Sequence, residues 1–312
     1  MRTFLKSERV FASWVITNAC NFRCSYCYNN SNCAKNENWD IHTIIRALSQ
    51  TGQKWCMGIT GGEPFVYPDF LNVCTHLVQN DITLYLDTNL SIEKKVLEFA
   101  EKIPASMVEN FYISLHIEER EKRNEVGNFI KLVNFLQSKS FPIQVNYVLD
   151  PRLFHRFERD FDFFKSNGIT LLAKPYKGVY KLRAYPEFYT KKQREIILKS
   201  SPDAFRRTLF YPGNARCEAG KSLVRIAADG SVTRCVGDHT LLGDIYSGFS
   251  LFKEATPCNA PFCSCFGWDL IDDEDKKILI RNALADKIVL NPLLRRYAGY
   301  YLRVLKKSFR AS

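Results

Sequence analysis

Short apolar runs rich in β-branched and aromatic residues alternate with amphipathic stretches of helical period from the N-terminus to about residue 185. Between Asp40 and Gly52, for example, an apolar stripe lies between a residue type that caps helix N-termini and one that suits a C-terminal cap. The predicted strands lie at 13–17, 55–60, 82–88, 110–116, 143–149 and 169–175. This alternation predicts a parallel α/β sheet, open or closed into a barrel, with its chemistry at the carboxyl ends of the strands.

The alternation ends after about residue 185, and short β-like runs with cysteine and glycine follow from Cys217 onward. We therefore predict three parts: an α/β domain over 1–185, a linker with a small cysteine-rich α+β domain over 186–270, and a basic helical tail over 271–312. With 46% apolar residues and 23 phenylalanines among 312 residues, the chain can build a large core. No run of 18 apolar residues predicts a membrane span.

The N-terminus weakly resembles a signal peptide, because Arg2, Lys6 and Arg9 surround the start of a short apolar stretch. That stretch runs directly into a cysteine cluster, so a cytoplasmic protein is the expectation. Its eleven cysteines then need an explanation other than structural disulfides. Metal or iron–sulfur ligation is the explanation that clustering favours.

Three cysteines, Cys20, Cys24 and Cys27, follow the first predicted strand within the sequence CNFRCSYC. Three thiolates in one loop can each bind a different iron of a cubane cluster, which leaves the fourth iron open for a substrate or cofactor. The alternative is a zinc site with Cys33 as the fourth ligand.

A second motif, TGGEP, follows the second predicted strand. Gly61 and Gly62 allow the backbone to pass close to a ligand, and Glu63 supplies a carboxylate for a cation. Parallel strands end at one edge of a sheet, so the two motifs are expected to be neighbours.

Together, CNFRCSYCY with Tyr26 and the Gly-Gly-Glu segment resemble the signature of radical S-adenosylmethionine (radical SAM) enzymes. The resemblance covers about residues 10–185 and implies a partial (β/α)6 TIM-like barrel. It implies that the amino and carboxylate groups of SAM chelate the open iron of a 4Fe–4S cluster, and that Gly61, Gly62 and Glu63 bind the amino group. Reductive cleavage then yields a 5′-deoxyadenosyl radical that abstracts hydrogen from the substrate.

Two later strand ends carry further candidate SAM contacts. Thr88 lies where the family often has Thr-Asn-Gly, although Leu90 replaces the glycine, and Ser114 lies where a family serine often contacts the carboxylate or ribose. Simple capping of strand ends is the alternative for both residues. His116 is expected to be a packed or surface histidine.

The second cysteine group contains Cys217, Cys235, Cys258, Cys263 and Cys265. Asp229-Gly230 between two β-like runs predicts a hairpin that brings Cys217 and Cys235 together. This arrangement resembles the Twitch extension of radical SAM enzymes, a smaller relative of the seven-cysteine SPASM domain. It implies an auxiliary 4Fe–4S cluster, with Cys217 and Cys235 as the first-ranked ligands, Cys258 and Cys263 next and Cys265 marginal; a zinc site is the alternative.

An auxiliary cluster in this family accepts an electron or binds substrate, and either role suits a net oxidation. The favoured substrate is a polar small molecule such as a sugar or aminocyclitol. A ribosomal peptide that becomes crosslinked or oxidised is the alternative, and a non-catalytic iron–sulfur carrier or sensor is a third reading that the Gly-Gly-Glu motif disfavours. Four side chains near the ends of the last two strands are candidates to face the cavity: Tyr147, Lys174, Tyr176 and Arg183.

The formal charge of +11 is concentrated at the C-terminus, where the stretch from Asp275 to Ser312 has ten Lys and Arg against two Asp. A basic amphipathic helix can contact a membrane surface or nucleic acid, but packing against the domain is the favoured interpretation, and nucleic acid is not an expected partner. The expected partners are the substrate and a reductant such as flavodoxin or ferredoxin.

Overall fold

A computed structural model describes residues 8–27, 38–202, 204, 214–260, 263 and 267–277. Six strands of its largest sheet pair in parallel in chain order: β1 (Arg9–Thr17), β2 (Lys54–Gly61), β3 (Thr83–Thr88), β4 (Val108–Ser114), β5 (Ile143–Leu149) and β6 (Leu171–Pro175). The helices that connect or follow these strands are α1 (Ile41–Gln50), α2 (Phe70–Gln79), α3 (Glu93–Lys102), α4 (Ile117–Lys122), α5 (Val126–Ser138), α6 (Phe157–Ser166) and α7 (Lys191–Ser200). The predicted α/β fold class with a partial TIM-like barrel is confirmed.

The helix-facing side of this sheet forms the main core. Trp14, Met57, Leu84, Phe111 and Val145 are all nearly inaccessible to solvent, and each lies on one face of its strand because alternate residues of a strand point the same way. Burial of this face by helices requires an apolar residue at every second position of each strand, and this recurring apolar content is why the sequence pattern located all six.

The first helix begins as its sequence predicts. The Asp40 carboxylate accepts hydrogen bonds from the backbone N–H groups of His42 and Thr43 at 3.1 and 3.2 Å. Gly52, just beyond the last turn, has a φ of 68°, which favours glycine. Local capping chemistry therefore sets both ends of α1.

The remaining described elements are short. They are β7 (Gly178–Tyr180), β8 (Arg183–Tyr185), β9 (Arg216–Cys217), β10 (Leu223–Ile226), β11 (Ser231–Thr233), β12 (Leu241–Asp244), β13 (Gly248–Phe249), β14 (Thr256–Pro257) and α8 (Gly267–Leu270). Three further helical turns lie at Pro64–Val66, Ala105–Met107 and Phe154–Arg156.

The predicted hairpin in the cysteine-rich region is present. β10 and β11 pair antiparallel around a turn in which Gly230 has a φ of 90° and Asp229 accepts a hydrogen bond from the Ser231 N–H. β10 also pairs in parallel with β1, so β10 to β13 extend the barrel sheet to ten strands. The cysteine-rich region is therefore continuous with the edge of the barrel.

The division of the chain at residues 185 and 270 remains a prediction, and residues 278–312, which include most of the predicted tail, lie outside the described part. Within the described residues, no helix is long and apolar enough to cross a lipid bilayer.

Candidate functional site

The Gly-Gly-Glu segment at the end of β2 packs directly on the cysteine loop, which we define as residues 18–27. The Gly62 N–H donates to the Thr17 carbonyl and the Glu63 N–H donates to the Ala19 carbonyl, both at 2.8 Å. A Cβ atom at Gly61 would lie 2.0 Å from the Thr17 oxygen, and one at Gly62 would lie 2.1 Å from the Ala19 oxygen. Only glycine allows this approach, so these contacts join the two motifs.

The three thiols of the loop lie close enough to influence one another electrostatically. Burial first, and then the neighbouring Cys27, Glu119 and Cys20, raise the pKa of the Cys24 thiol to about 12. The Cys27 N–H donates to the Cys24 carbonyl at 3.0 Å, which forms the turn that brings these two residues together. Three thiolates so close together need a cation to offset their charge, and soft thiolates suit iron–sulfur clusters and zinc.

Glu63 is a buried carboxylate at the same place. It is 1% exposed. Its oxygens accept hydrogen bonds from the Thr88 hydroxyl at 2.7 Å, from the Asn89 N–H at 2.6 Å and from the Phe65 N–H at 3.2 Å. Burial outweighs these bonds and raises the pKa of Glu63 to about 7. A buried, oriented carboxyl group of this kind is suited to bind a cation.

The predicted residue Thr88 therefore lies behind Glu63. It is 4% exposed, and its hydroxyl both donates to Glu63 and accepts from the Leu90 N–H at 2.8 Å. Ser114, by contrast, ends β4 half-buried on the concave face of the sheet, two residues after Tyr112.

The helix α4 and the residue before it hold the other side of the cysteine loop. The Arg23 N–H donates to the Glu119 carboxylate at 3.2 Å. The Arg123 guanidinium donates to the Asn21 carbonyl. Tyr26 and His116 share a hydrogen bond of 2.7 Å between the phenol oxygen and Nδ1. Burial, with Arg120 and Lys174 nearby, lowers the pKa of His116 to about 3, so its imidazole is neutral.

Glu119 and Arg120 received no role from the sequence, because the run IEEREK is typical of a solvated helical face. Both are almost fully buried. Arg120 donates to the carbonyls of Leu115, at 2.8 Å, and of Asn89. Its guanidinium lies 4.0 Å from the centre of the Phe129 ring. Their only sequence signal is their position just after the end of the fourth strand.

The concave face of the sheet carries polar side chains beyond the cysteine loop. Asp87 accepts a hydrogen bond from Thr60 and lies near Lys174. Burial raises the pKa of Asp87 to about 6 in spite of both neighbours. The Lys174 ammonium lies 4.9 Å from the centre of the Tyr112 ring. Lys174 thus lies on the concave side of the sheet.

The Tyr147 side chain does not lie on the concave face of the sheet, which corrects the prediction that it faces the cavity. Its hydroxyl donates to Asp160 on α6 at 2.7 Å, and its ring contacts Phe157 and Phe161 of the same helix. The side chain therefore lies on the helix-facing side of β5, since neighbouring residues of a strand alternate between the two faces.

Three cysteines of the second group also come together. β9 pairs with β14, with Thr256 opposite Cys217, and the Cys258 N–H donates to the Ala215 carbonyl at 3.0 Å. Burial, with smaller effects of the nearby Cys258 and Cys235 thiols, raises the pKa of Cys217 to about 12. The Ala219 N–H and Arg234 act in the opposite direction but do not offset burial. Cys263 is half-buried, and Cys265 lies outside the described residues.

The second group packs against the concave side of the barrel. Cys217 and Cys258 belong to a buried cluster with Phe11 and Tyr85 from β1 and β3, and Cys235 packs against it. None of the described cysteines is in a disulfide. Two cysteines of the barrel, Cys56 in β2 and Cys74 in α2, are buried core residues at 3% and 0% exposure.

Residues 14–163 match the sequence model of the Radical SAM superfamily. This region therefore resembles radical SAM proteins in sequence. Two proteins described as "Probable GTP 3′,8-cyclase" are similar to it. The one from Pyrococcus horikoshii is 27% identical over 144 residues, which are 43% of this chain and 45% of the relative. The one from Thermococcus kodakarensis is 30% identical over 105 residues, 32% and 33% of the two chains. The matches thus span less than half the length of these relatives.

Two solved structures share the fold. Streptococcus suis SuiB bound to S-adenosylmethionine superposes with a TM-score of 0.54 at 17% identity, covering 74% of this chain and 61% of SuiB. The anSMEcpe structure with bound AdoMet superposes with a TM-score of 0.52 at 16% identity, covering 76% and 78%. At these identities the likeness shows the fold.

The match to the Radical SAM superfamily model implies a 4Fe–4S cluster and SAM. The three neighbouring thiols and the buried Glu63 are compatible with this pair, and the superfamily match favours an iron–sulfur cluster over zinc. The matched region ends before the second cysteine group, so the auxiliary cluster is not part of this conclusion.

Proposed function

We propose that the protein is a radical SAM enzyme whose active site lies between the cysteine loop and the end of β2. The observation that carries this proposal is the direct backbone bonding between the Gly-Gly-Glu segment and the residues before Cys20. It places a buried carboxylate beside three neighbouring thiols, a pairing that an iron–sulfur carrier without SAM does not need. When bound, the cluster would supply the electron for the reductive cleavage of SAM. The resulting 5′-deoxyadenosyl radical would abstract hydrogen from the substrate.

The residues of this chain have distinct roles in the proposal. Cys20, Cys24 and Cys27 bind three irons. Gly61 and Gly62, which pack on the residues before Cys20, form the site for the amino group of SAM together with Glu63. Behind this layer, Thr88 orients Glu63 and neutral His116 orients Tyr26, while Ser114 on the concave face is available to the carboxylate or ribose.

The favoured reaction is the net oxidation, by dehydrogenation, of a polar small molecule such as a sugar or aminocyclitol. Asp87 and Lys174 support it, because a concave face with an acid and a base side by side suits hydroxyl, amino or acidic groups. The similar proteins described as GTP cyclases carry a small polar substrate in their names. The proposal includes an auxiliary 4Fe–4S cluster at the second cysteine group as electron acceptor, a flavodoxin or ferredoxin as reductant, and the cytoplasm as location.

A peptide substrate is the second candidate. SuiB has also been solved bound to its precursor peptide SuiA, and that structure superposes on this chain with a TM-score of 0.53 at 16% identity. With a peptide substrate, the reaction would be the crosslinking or oxidation of a residue.

Anaerobic reconstitution tests the enzymatic proposal. Protein loaded with iron and sulfide should, with dithionite and SAM, release 5′-deoxyadenosine, measured by liquid chromatography and mass spectrometry. SAM should also change the EPR spectrum of the reduced cluster, a readout that does not need substrate. Cys24→Ala should lose both signals. An unchanged EPR spectrum on SAM addition to the loaded parent would contradict the proposal.

The pKa of Glu63 predicts a pH dependence of SAM binding. With a pKa of about 7 in the folded protein, the ionised form, which accepts a charge-assisted hydrogen bond from the SAM amino group, is about a tenth of the population at pH 6 and about nine tenths at pH 8. SAM should therefore bind roughly tenfold more tightly at pH 8 than at pH 6. Isothermal titration calorimetry at both pH values measures this ratio; a Glu63→Gln variant should bind weakly without the step.

A further inference from the structure

A single buried arginine lies at the centre of the second cysteine group. Arg234 immediately precedes Cys235 and is only 2% exposed. A buried guanidinium needs acceptors for its five N–H donors, since each donor left without one is destabilising.

Every donor of Arg234 has an acceptor. The acceptors are the Ala219 carbonyl for Nε at 2.9 Å, Asp238 Oδ2 and the Pro257 carbonyl for Nη1 at 2.9 and 2.6 Å, and the carbonyls of Cys217 and Thr256 for Nη2 at 3.2 and 2.7 Å. Four of these five acceptors are backbone carbonyls. The planar, forked guanidinium can reach all of them at once, which a lysine ammonium with three donors cannot.

These carbonyls belong to the segments that carry the cysteines. One segment contains Cys217, another leads through Thr256 and Pro257 into Cys258, and the arginine itself lies next to Cys235. One side chain therefore ties together three stretches of chain that are far apart in sequence.

Asp238 completes the arrangement. Its carboxylate pairs with Arg234 at 2.9 Å and accepts from the Asn259 N–H at 3.2 Å, one residue after Cys258. Its own N–H donates to the Cys235 sulfur at 3.2 Å. Both side chains of the ion pair are at most 4% exposed. Each partner therefore neutralises the buried charge of the other, and each also forms hydrogen bonds to a segment that carries a cysteine.

We propose that Arg234, paired with Asp238, is a positioning residue that holds the chain segments of Cys217, Cys235 and Cys258 close to one another before any metal binds. The proposal rests on the auxiliary iron–sulfur cluster of the proposed function, but the positioning role concerns the thiols themselves. The N–H groups directed at the sulfurs, from Ala219 to Cys217 at 3.5 Å and from Asp238 to Cys235, suit thiolate ligands.

Arg234→Lys tests this role, with Arg225→Lys as the matched control on the adjacent strand β10, where the side chain is half-buried. In anaerobically reconstituted full-length protein, the parent and the control should hold about eight irons per chain, and Arg234→Lys about four. The EPR change that SAM causes at the first cluster should persist in Arg234→Lys, which separates loss of the second site from general unfolding. Any residual second cluster should have an altered EPR spectrum.

Metal-free protein provides a second, independent measurement. Iodoacetamide labelling with peptide mapping should modify Cys217 and Cys258 at least tenfold faster in Arg234→Lys than in the parent or in Arg225→Lys. If the parent itself binds only about four irons, the auxiliary cluster of the proposed function is wrong, and the labelling rates decide the positioning role. Equal labelling rates and equal iron content in Arg234→Lys and parent would overturn the proposal.

Discussion

Gly62→Ala is expected to remove the first cluster almost completely. The new Cβ would lie 2.1 Å from the Ala19 carbonyl oxygen and 2.4 Å from its carbon. Backbone atoms cannot yield as the end of a flexible side chain does, so the residues leading into Cys20 must move away from β2. Iron bound at the first site and 5′-deoxyadenosine formation should both fall to less than about a tenth of the parent values, because ligand geometry and the SAM site are disrupted together.

Gly127→Ala is the matched control for this substitution. Gly127 lies in α5, and a Cβ there would meet no atom within 4 Å. Alanine favours a helix over glycine by about 1 kcal/mol, so this variant should keep its iron and be equally or more stable to thermal unfolding. Iron analysis and circular dichroism make the comparison; a Gly62→Ala protein with full iron content would show that the contact with Ala19 is dispensable.

Glu63→Gln is expected to separate SAM binding from cluster binding. The amide keeps the size and one oxygen acceptor of the carboxylate but lacks the charge that strengthens a hydrogen bond from the SAM amino group. Charge-assisted hydrogen bonds contribute about 1.5–3 kcal/mol, so the Kd for SAM should rise roughly 10- to 150-fold. The iron content should not change, because Glu63 is not a ligand of the cluster, which the three cysteines bind.

The exposed Glu101 at the end of α3 offers the control. Glu101→Gln should leave SAM affinity at the parent value, measured at pH 8 by calorimetry on reconstituted protein. If Glu63→Gln bound SAM as tightly as the parent, the carboxylate would have no role in SAM binding. Only the three cysteines would then support the proposed SAM site.

The fold of the barrel was largely predictable because its signals are local. Six apolar runs, each followed by a helical stripe, correspond to β1 to β6, and Asp40 and Asp229-Gly230 act within two or three residues of their own positions. The sequence also predicted that the cysteine loop and the Gly-Gly-Glu segment are neighbours. They follow consecutive strands, and parallel neighbouring strands end at the same edge of the sheet.

The supporting polar residues could not be predicted because their partners are distant in sequence. Glu119 accepts from Arg23 across 96 positions, and Arg234 reaches the Pro257 carbonyl across 23. Charged residues in a polar run are usually solvated, and nothing within the run shows that the fold covers it and supplies acceptors. Tyr147 was misassigned for a related reason: its placement near a strand end does not say which face of the strand meets the cavity.

The sequence by itself determined the order of strands and helices, the two motifs at the carboxyl edge and the kind of chemistry that three thiols and a carboxylate can support. Only the tertiary structure decided that Gly62 touches the chain just before Cys20, that Thr88 supports Glu63 and that Arg234 joins three cysteine segments. The physical reason is that periodicity and capping depend on neighbouring residues, whereas burial and hydrogen bonding of a polar group depend on which distant backbone atoms the fold brings within about 3 Å.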